Sequence, residues 1–184
     1  MKKISVLFLF IPLFMAFQCE TGEPCNINNI TKEKQGLITV ENLQVSYNVG
    51  DIIWLNSNLD RIQNFDNTSE TTDLFSYTLD YSFGIQFYKS SVYNSSIYLC
   101  LDENTTEITN GSLGSFCNLF VYEKVDDFLN CRVGIKLLET GNYKIELSRI
   151  QTFRENGLNC EDTSINIDTS FSNNNEQYFN FTVE

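Results

Sequence analysis

Alternation of apolar and polar residues is the feature that most limits what this chain can become. Phe83, Ile85 and Phe87 alternate with Gly84, Gln86 and Tyr88; Tyr143, Ile145 and Leu147 alternate with Lys144, Glu146 and Ser148; Phe179, Phe181 and Val183 alternate with Asn180 and Thr182. Successive side chains of an extended chain point to opposite faces, so each segment turns one apolar face to a core and one polar face to water. A helix would scatter the same residues around its circumference. Further strands are expected at Leu37–Glu41, Val45–Asn48, Asp51–Asn56, Leu74–Tyr81, Ile97–Leu101, Phe116–Tyr122 and Ile165–Asp168, with Glu123–Leu129 as a turn of helix or a loop. Connections such as Asn48-Val49-Gly50, Asn110-Gly111 and Thr140-Gly141-Asn142 supply residues that tolerate positive φ. Many short strands between such turns predict an all-β fold, an antiparallel β-sandwich with phenylalanines as its core.

The first nineteen residues follow another rule. Met-Lys-Lys precedes an apolar run from Ile4 to Phe17, broken by Ser5 and Pro12, and then Gln18-Cys19. A basic start and a short apolar stretch make an export signal over residues 1–18, too short for a permanent membrane-spanning helix. No clean A-x-A pair precedes a cut near Ala16-Phe17-Gln18. A cysteine directly after the apolar run resembles a lipobox, although Gln18 stands where Gly, Ala or Ser is usual and Ala16 where Leu is usual. The whole leader resembles those of flavobacterial-type envelope lipoproteins, which use looser boxes. That resemblance implies acylation of Cys19 and an exported outer-membrane lipoprotein on the periplasmic face or the cell surface. Its membrane partner is reached through the N-terminal lipid. Glu20 and Glu23 resemble the acidic surface-export signals of such proteins. The alternative is a secreted protein in which Cys19 is a disulfide partner. Residues 19–35, polar and holding Pro24, are expected to be a tether, and 36–184 a single domain.

Charge and missing residue types exclude several functions. The chain has no histidine, which removes Ser-His-Asp and Cys-His catalysis, His-ligated zinc or haem, and an imidazole pH switch. Its net charge is -12, and because the leader carries Lys2 and Lys3 but no acid, the mature chain would stand at -14. Nucleic acid, which demands a basic surface, is not expected as a partner.

An exported chain meets an oxidising compartment, so the cysteines beyond Cys19 are disulfide candidates. Cys100 and Cys117 end two apolar segments joined by a turn-rich stretch, and a hairpin would bring them together. Cys25 in the tail and Cys160 in the polar loop from Glu155 to Asp162 form the second candidate pair. Cys131 shares its parity with Val133, Ile135 and Leu137 and is expected to be a buried free thiol. No spacing matches a C-x-x-C redox pair or a zinc site, and no cofactor or metal is expected.

Two segments bear on topology. Tyr47-Asn48-Val49-Gly50-Asp51-Ile52-Ile53-Trp54-Leu55 resembles an early strand of bacterial immunoglobulin-like domains, and Glu139-Thr140-Gly141-Asn142-Tyr143-Lys144-Ile145 resembles the late corner where a tyrosine bonds back to the preceding loop. The resemblance implies immunoglobulin-like topology, with Ile145 where an antibody domain places a cysteine.

Acidic clusters at Asp60 to Asp80, around Asp102, Glu103 and Glu107, at Asp126-Asp127 and at Glu161-Asp162 lack the spacing of a calcium loop and read as solvated. Trp54, on an apolar strand, is expected in the core rather than as a sugar-stacking platform. Tyr88, Tyr98 and Tyr178 face outward and would make a binding face if they gathered on one sheet. The sequons beginning at Asn29, Asn67, Asn94, Asn104, Asn110 and Asn180 are compositional in a chain with a bacterial leader. The expected function is a non-enzymatic binding or assembly role in the cell envelope, with an envelope protein or glycan as partner. The alternatives are a carboxylate-dependent hydrolase of glycosidase type, which needs no histidine, and a glycan-binding or protease-inhibiting module.

Overall fold

The two longest alternating segments pair with each other. Asp80–Ser90 and Gly141–Phe153 run antiparallel, with Tyr143 opposite Lys89, Ile145 opposite Phe87 and Leu147 opposite Ile85. The structure, a computed structural model, describes residues 27–66, 68–91, 95–154, 158 and 162–184. In chain order the strands are β1 (Asn28–Glu33), β2 (Thr39–Glu41), β3 (Ser46–Tyr47), β4 (Ile52–Asp60), β5 (Ile62–Asn64), β6 (Thr71–Asp73), β7 (Asp80–Ser90) and β8 (Ser96–Leu99). They continue as β9 (Thr106–Asn110), β10 (Ser112–Leu113), β11 (Leu119–Val121), β12 (Glu123–Val125), β13 (Phe128–Lys136), β14 (Gly141–Phe153), β15 (Thr163–Asp168) and β16 (Tyr178–Val183).

A nine-stranded sheet has the order β1-β15-β14-β7-β11-β10, with β16 beside β14, β3 beside β16 and β8 beside β7. A five-stranded sheet has the order β12-β13-β4-β2, with β9 also beside β13, and β5 and β6 form a separate hairpin. The strand ladders are antiparallel except for β1 with β15 and β3 with β16. The expected sandwich is therefore present. Ile53, Leu55, Leu59, Leu129, Val133 and Ile135 from the smaller sheet meet Phe83, Ile85, Phe87, Ile145, Ile165 and Phe181 from the larger in one buried cluster. Each such side chain contributes roughly 1.5–3 kcal/mol by leaving water.

The corner tyrosine behaves as expected: the Tyr143 hydroxyl donates to the Glu139 carbonyl at 2.8 Å. It sits in a sheet with nine strands and two parallel pairings, a larger arrangement than the seven-stranded immunoglobulin sandwich.

Several expectations are corrected. Leu74–Tyr81 is not one strand: the Asp73 carboxylate accepts the Phe75 N–H and caps a 3-10 turn over Leu74–Ser76, and the strand starts at Asp80. Phe116–Tyr122 becomes a strand only at Leu119, because Asn118 turns the chain with φ 57°. Glu123–Leu129 is neither helix nor loop but the β12–β13 hairpin, turned at Asp126 with φ 51°. Residues 28–33 of the expected tether form β1, so the ordered sheet begins before residue 36. Polar residues suffice there because β1 is an edge strand that buries little, Ile30 packing against the core. Trp54 is not in the core. Ile53 and Leu55 point inward, so the parity of β4 sends Trp54 to the outer face.

The centre of the larger sheet is forked. β14 pairs with β7 along one side, while on its other side β16 accompanies Gly141 to Glu146 and β15 accompanies Ile150 and Gln151. β7 is likewise flanked by β8 at Phe87 to Ser90 and by β11 at Ser82 to Gly84. The β7–β14 register shifts between Leu147 and Ile150, a bulge placed where the flanking strands change.

Candidate functional site

The fork leaves a depression on the outer face of the larger sheet. Gly84 of β7 and Ser148 of the bulge form its floor, and a Cβ added at Gly84 would lie 3.4 Å from that of Ser148. Gln86, Gln151, Arg149, Gln177, Tyr98 and Phe116 stand around it, enclosing a groove of about 600 Å³. That volume falls within the range of small-ligand sites.

One wall is built by an interrupted lane. β8 ends opposite Phe87, the chain leaves for β9 in the opposite sheet, and it returns to β7 as β11 opposite Gly84. The Cys100–Cys117 disulfide joins the two broken ends, with Cα atoms 5.4 Å apart. The expected pair is present, but it staples two strands lying end to end rather than a hairpin. The bond is consistent with folding in an oxidising compartment, hence with export.

Asn118, fully buried, completes the staple. Its Oδ1 accepts the Leu101 N–H at 2.7 Å, its Nδ2 donates to the Leu99 carbonyl at 2.8 Å and to the Tyr98 hydroxyl at 3.2 Å, and its own carbonyl accepts the Ile85 N–H at 3.0 Å. The bond to its hydroxyl helps fix Tyr98, 46% exposed, on the rim, while Phe116, 66% exposed, stands beside Cys117 with its carbonyl accepting the Leu119 N–H at 3.2 Å. Asparagine tolerates the left-handed backbone that the turn needs, so one residue serves conformation and bonding together.

The three expected tyrosines do gather on this face. Tyr88 lies opposite Tyr98 on one side and Lys144 on the other, and the two rings meet edge to face at 5.6 Å. Tyr178 stands opposite Glu146, with the Lys144 ammonium 4.8 Å from its ring centre. The Tyr88 hydroxyl donates to Gln86. Each ring is thus oriented by a neighbour before any ligand arrives.

The face on the smaller sheet is different. Arg132 lies 3.8 Å from the Trp54 ring centre and forks onto Glu41, Nε to Oε1 at 2.8 Å and Nη2 to Oε2 at 2.6 Å. The indole crosses Gly134, where a Cβ would come within 3.1 Å of its ring atoms. Trp54 has given its stacking surface to Arg132 and anchors the sheet.

The remaining candidates fall as follows. Cys131 is buried, and loss of hydration pushes its thiol up to about 12, which leaves it a small apolar side chain. Cys19, Cys25 and Cys160 lie outside the described residues. Among the described residues no three His, Cys, Asp or Glu side chains gather as a metal site would require. Among the described residues, the carboxylates whose titration is displaced move downward: hydrogen bonds from Arg132 to Glu41, from Arg61 to Asp73, from the Thr105 side chain and backbone to Asp102, and from Lys89 to Glu139 favour the ionised form.

The outward tyrosines are legible in the sequence, and the groove is less so. Its signals were small residues at outward positions, Gly84 and Ser148, and Asn118 beside a disulfide cysteine. No protein-family model matches this chain, and no curated protein matches it. Among solved structures the chain is similar to the CupB6 tip adhesin from Pseudomonas aeruginosa, at 9% identity and a TM-score of 0.28, over 86% of this chain and 42% of that one. It spans about two fifths of that structure's length.

Proposed function

We propose that this chain is an exported binding module of the bacterial cell envelope, anchored through lipid on Cys19, that engages its partner non-catalytically through the outer face of the larger sheet. The observation that carries this reading is the groove over Gly84 and Ser148, walled by the disulfide-stapled lane and rimmed by Phe116 and Tyr98. Rings oriented in advance lose little freedom on binding, which is where affinity is usually lost. On the opposite face Trp54 is not free to stack on a ligand, since Arg132 covers its ring.

Photo-crosslinking of the tagged chain in its native envelope tests the reading. A crosslinker at Gln177, beside the groove, is expected to capture material that the same group at Asn58, exposed on the smaller sheet, does not. Equal capture from both positions refutes the assignment of the face. Intact mass of the membrane-extracted protein tests the anchor, and a mature mass without an acyl increment at Cys19 refutes it.

A further inference from the structure

We propose that the groove takes a neutral oligosaccharide. This rests on the binding role of the face argued above and names its ligand class.

Charge decides between ligand types. Among the described residues lining the groove the one cation is Arg149, with Nε 3.7 Å from the Asp168 carboxylate, and Lys144 on the adjoining rows lies with Nζ 2.6 Å from Glu146. Both of these positive groups are matched by a carboxylate, in a chain whose net charge is -12. An anionic ligand would meet no surplus cation and a repulsive surrounding field. A cationic one would find only paired carboxylates here, whereas Glu103 and Glu123 lie exposed elsewhere.

Shape and chemistry narrow it further. A peptide added as an extra strand needs an open sheet edge, but the groove lies in the interior of the larger sheet, over β7 and β14, which have β8, β11, β15 and β16 on their outer sides. A purely apolar ligand would desolvate Gln86, Gln151, Gln177 and Arg149 without replacing their hydrogen bonds. A sugar chain meets both requirements. Its C–H faces pack on the Tyr98 and Phe116 rings, and its hydroxyls pair with planar amide and guanidinium groups. Such a mixture, apolar surface with a few placed polar groups, is the usual make-up of a small-ligand site.

The test uses the full chain extracted in detergent, titrated with neutral hexaoses of glucose, mannose, xylose and N-acetylglucosamine and with sialylated and sulfated oligosaccharides. Amide chemical shifts report the location. At least one neutral hexaose is expected to bind and to move the Gly84 and Ser148 amides. Tyr98→Ala is expected to weaken it about tenfold, the scale of one aromatic contact. Gln177→Ala, on the other side of the groove and away from Asn118, is expected to weaken it severalfold, and Asn58→Ala to leave it unchanged. Binding of the acidic sugars alone, shifts confined to other faces, or affinity indifferent to both groove variants overturns the proposal. So does self-association that the two groove variants abolish, which would make a second copy the occupant. If no neutral sugar binds while crosslinking at Gln177 still captures a partner, the ligand class is wrong and the binding face stands. If both fail, both fall.

Discussion

Replacing Asn118 tests how the groove wall is held. Asn118→Ala leaves the buried Leu101 N–H and the half-buried Leu99 carbonyl without their side-chain partners and removes a bond to the Tyr98 hydroxyl. A buried backbone group left without a partner costs about 1–3 kcal/mol. Alanine at the observed φ of 57° adds about 1 kcal/mol of backbone strain. With the full penalty for the Leu101 N–H, a smaller one for the half-buried Leu99 carbonyl and the backbone strain, the expected loss is about 2–5 kcal/mol, a large share of the stability of a domain this size. Asn118→Gly separates the two causes, since glycine accepts the backbone but restores no hydrogen bond, and it should recover about 1 kcal/mol relative to alanine. Equilibrium urea unfolding of the three proteins, compared at equal slope, measures both differences. A loss below 1 kcal/mol for Asn118→Ala, or no gain from glycine, would refute the view that this residue both bends and bonds the lane. A double-mutant cycle with the disulfide should show strong coupling, because both act on the same break between β8 and β11.

Three further outcomes are expected. Replacing Cys100 and Cys117 together by serine should cost about 3 kcal/mol, the loop-closure contribution for a separation of 17 residues, measured by the shift of the urea midpoint. Gly134→Ala should cost about 1–3 kcal/mol, since the new Cβ would lie 2.6 Å from Ile52 Cγ2 and 3.1 Å from the Trp54 ring; as the chain has one tryptophan, its fluorescence reports the displacement directly. Glu41 titrates lower folded than unfolded, so its pairing with Arg132 stabilises fully above the ordinary carboxylate value and fades as pH falls through the lowered one. Glu41→Gln should flatten that part of the acid limb of a melting-temperature profile, and an unchanged slope would count against the pair.

Much of the fold was legible because period two is a local property. Neighbours two residues away place Phe83, Ile85, Phe87, Tyr143, Ile145, Phe179 and Phe181 in the core, and all seven are buried. Trp54 was misplaced because Ile52-Ile53-Trp54-Leu55 is uniformly apolar and hides its parity. The continuation through Ser57 and Leu59, buried, against Asn58 and Asp60, exposed, carries that parity. Features decided by distant partners were not legible. β1 looks like a linker until it lies beside β15, more than a hundred residues later in the chain. The groove arises because β8, β11, β15 and β16 each stop beside a longer strand, and strand length depends on which neighbour arrives. The cysteine pair could be chosen from spacing, but its topological meaning could not.

The parallel pairing of β1 with β15 has a mechanical consequence. Asn28 lies opposite Thr163 and Glu33 opposite Asp168, so the end of β1 nearest the proposed anchor is the far end from Asp168, which lines the groove. Tension between a held ligand and the membrane would therefore run along the two strands and load their six paired positions together in shear, instead of peeling them apart one at a time. A ladder placed in that direction resists a pull better than the same bonds met end-on, and with the proposed anchor and ligand in place it would make an otherwise ordinary edge strand the coupling between them.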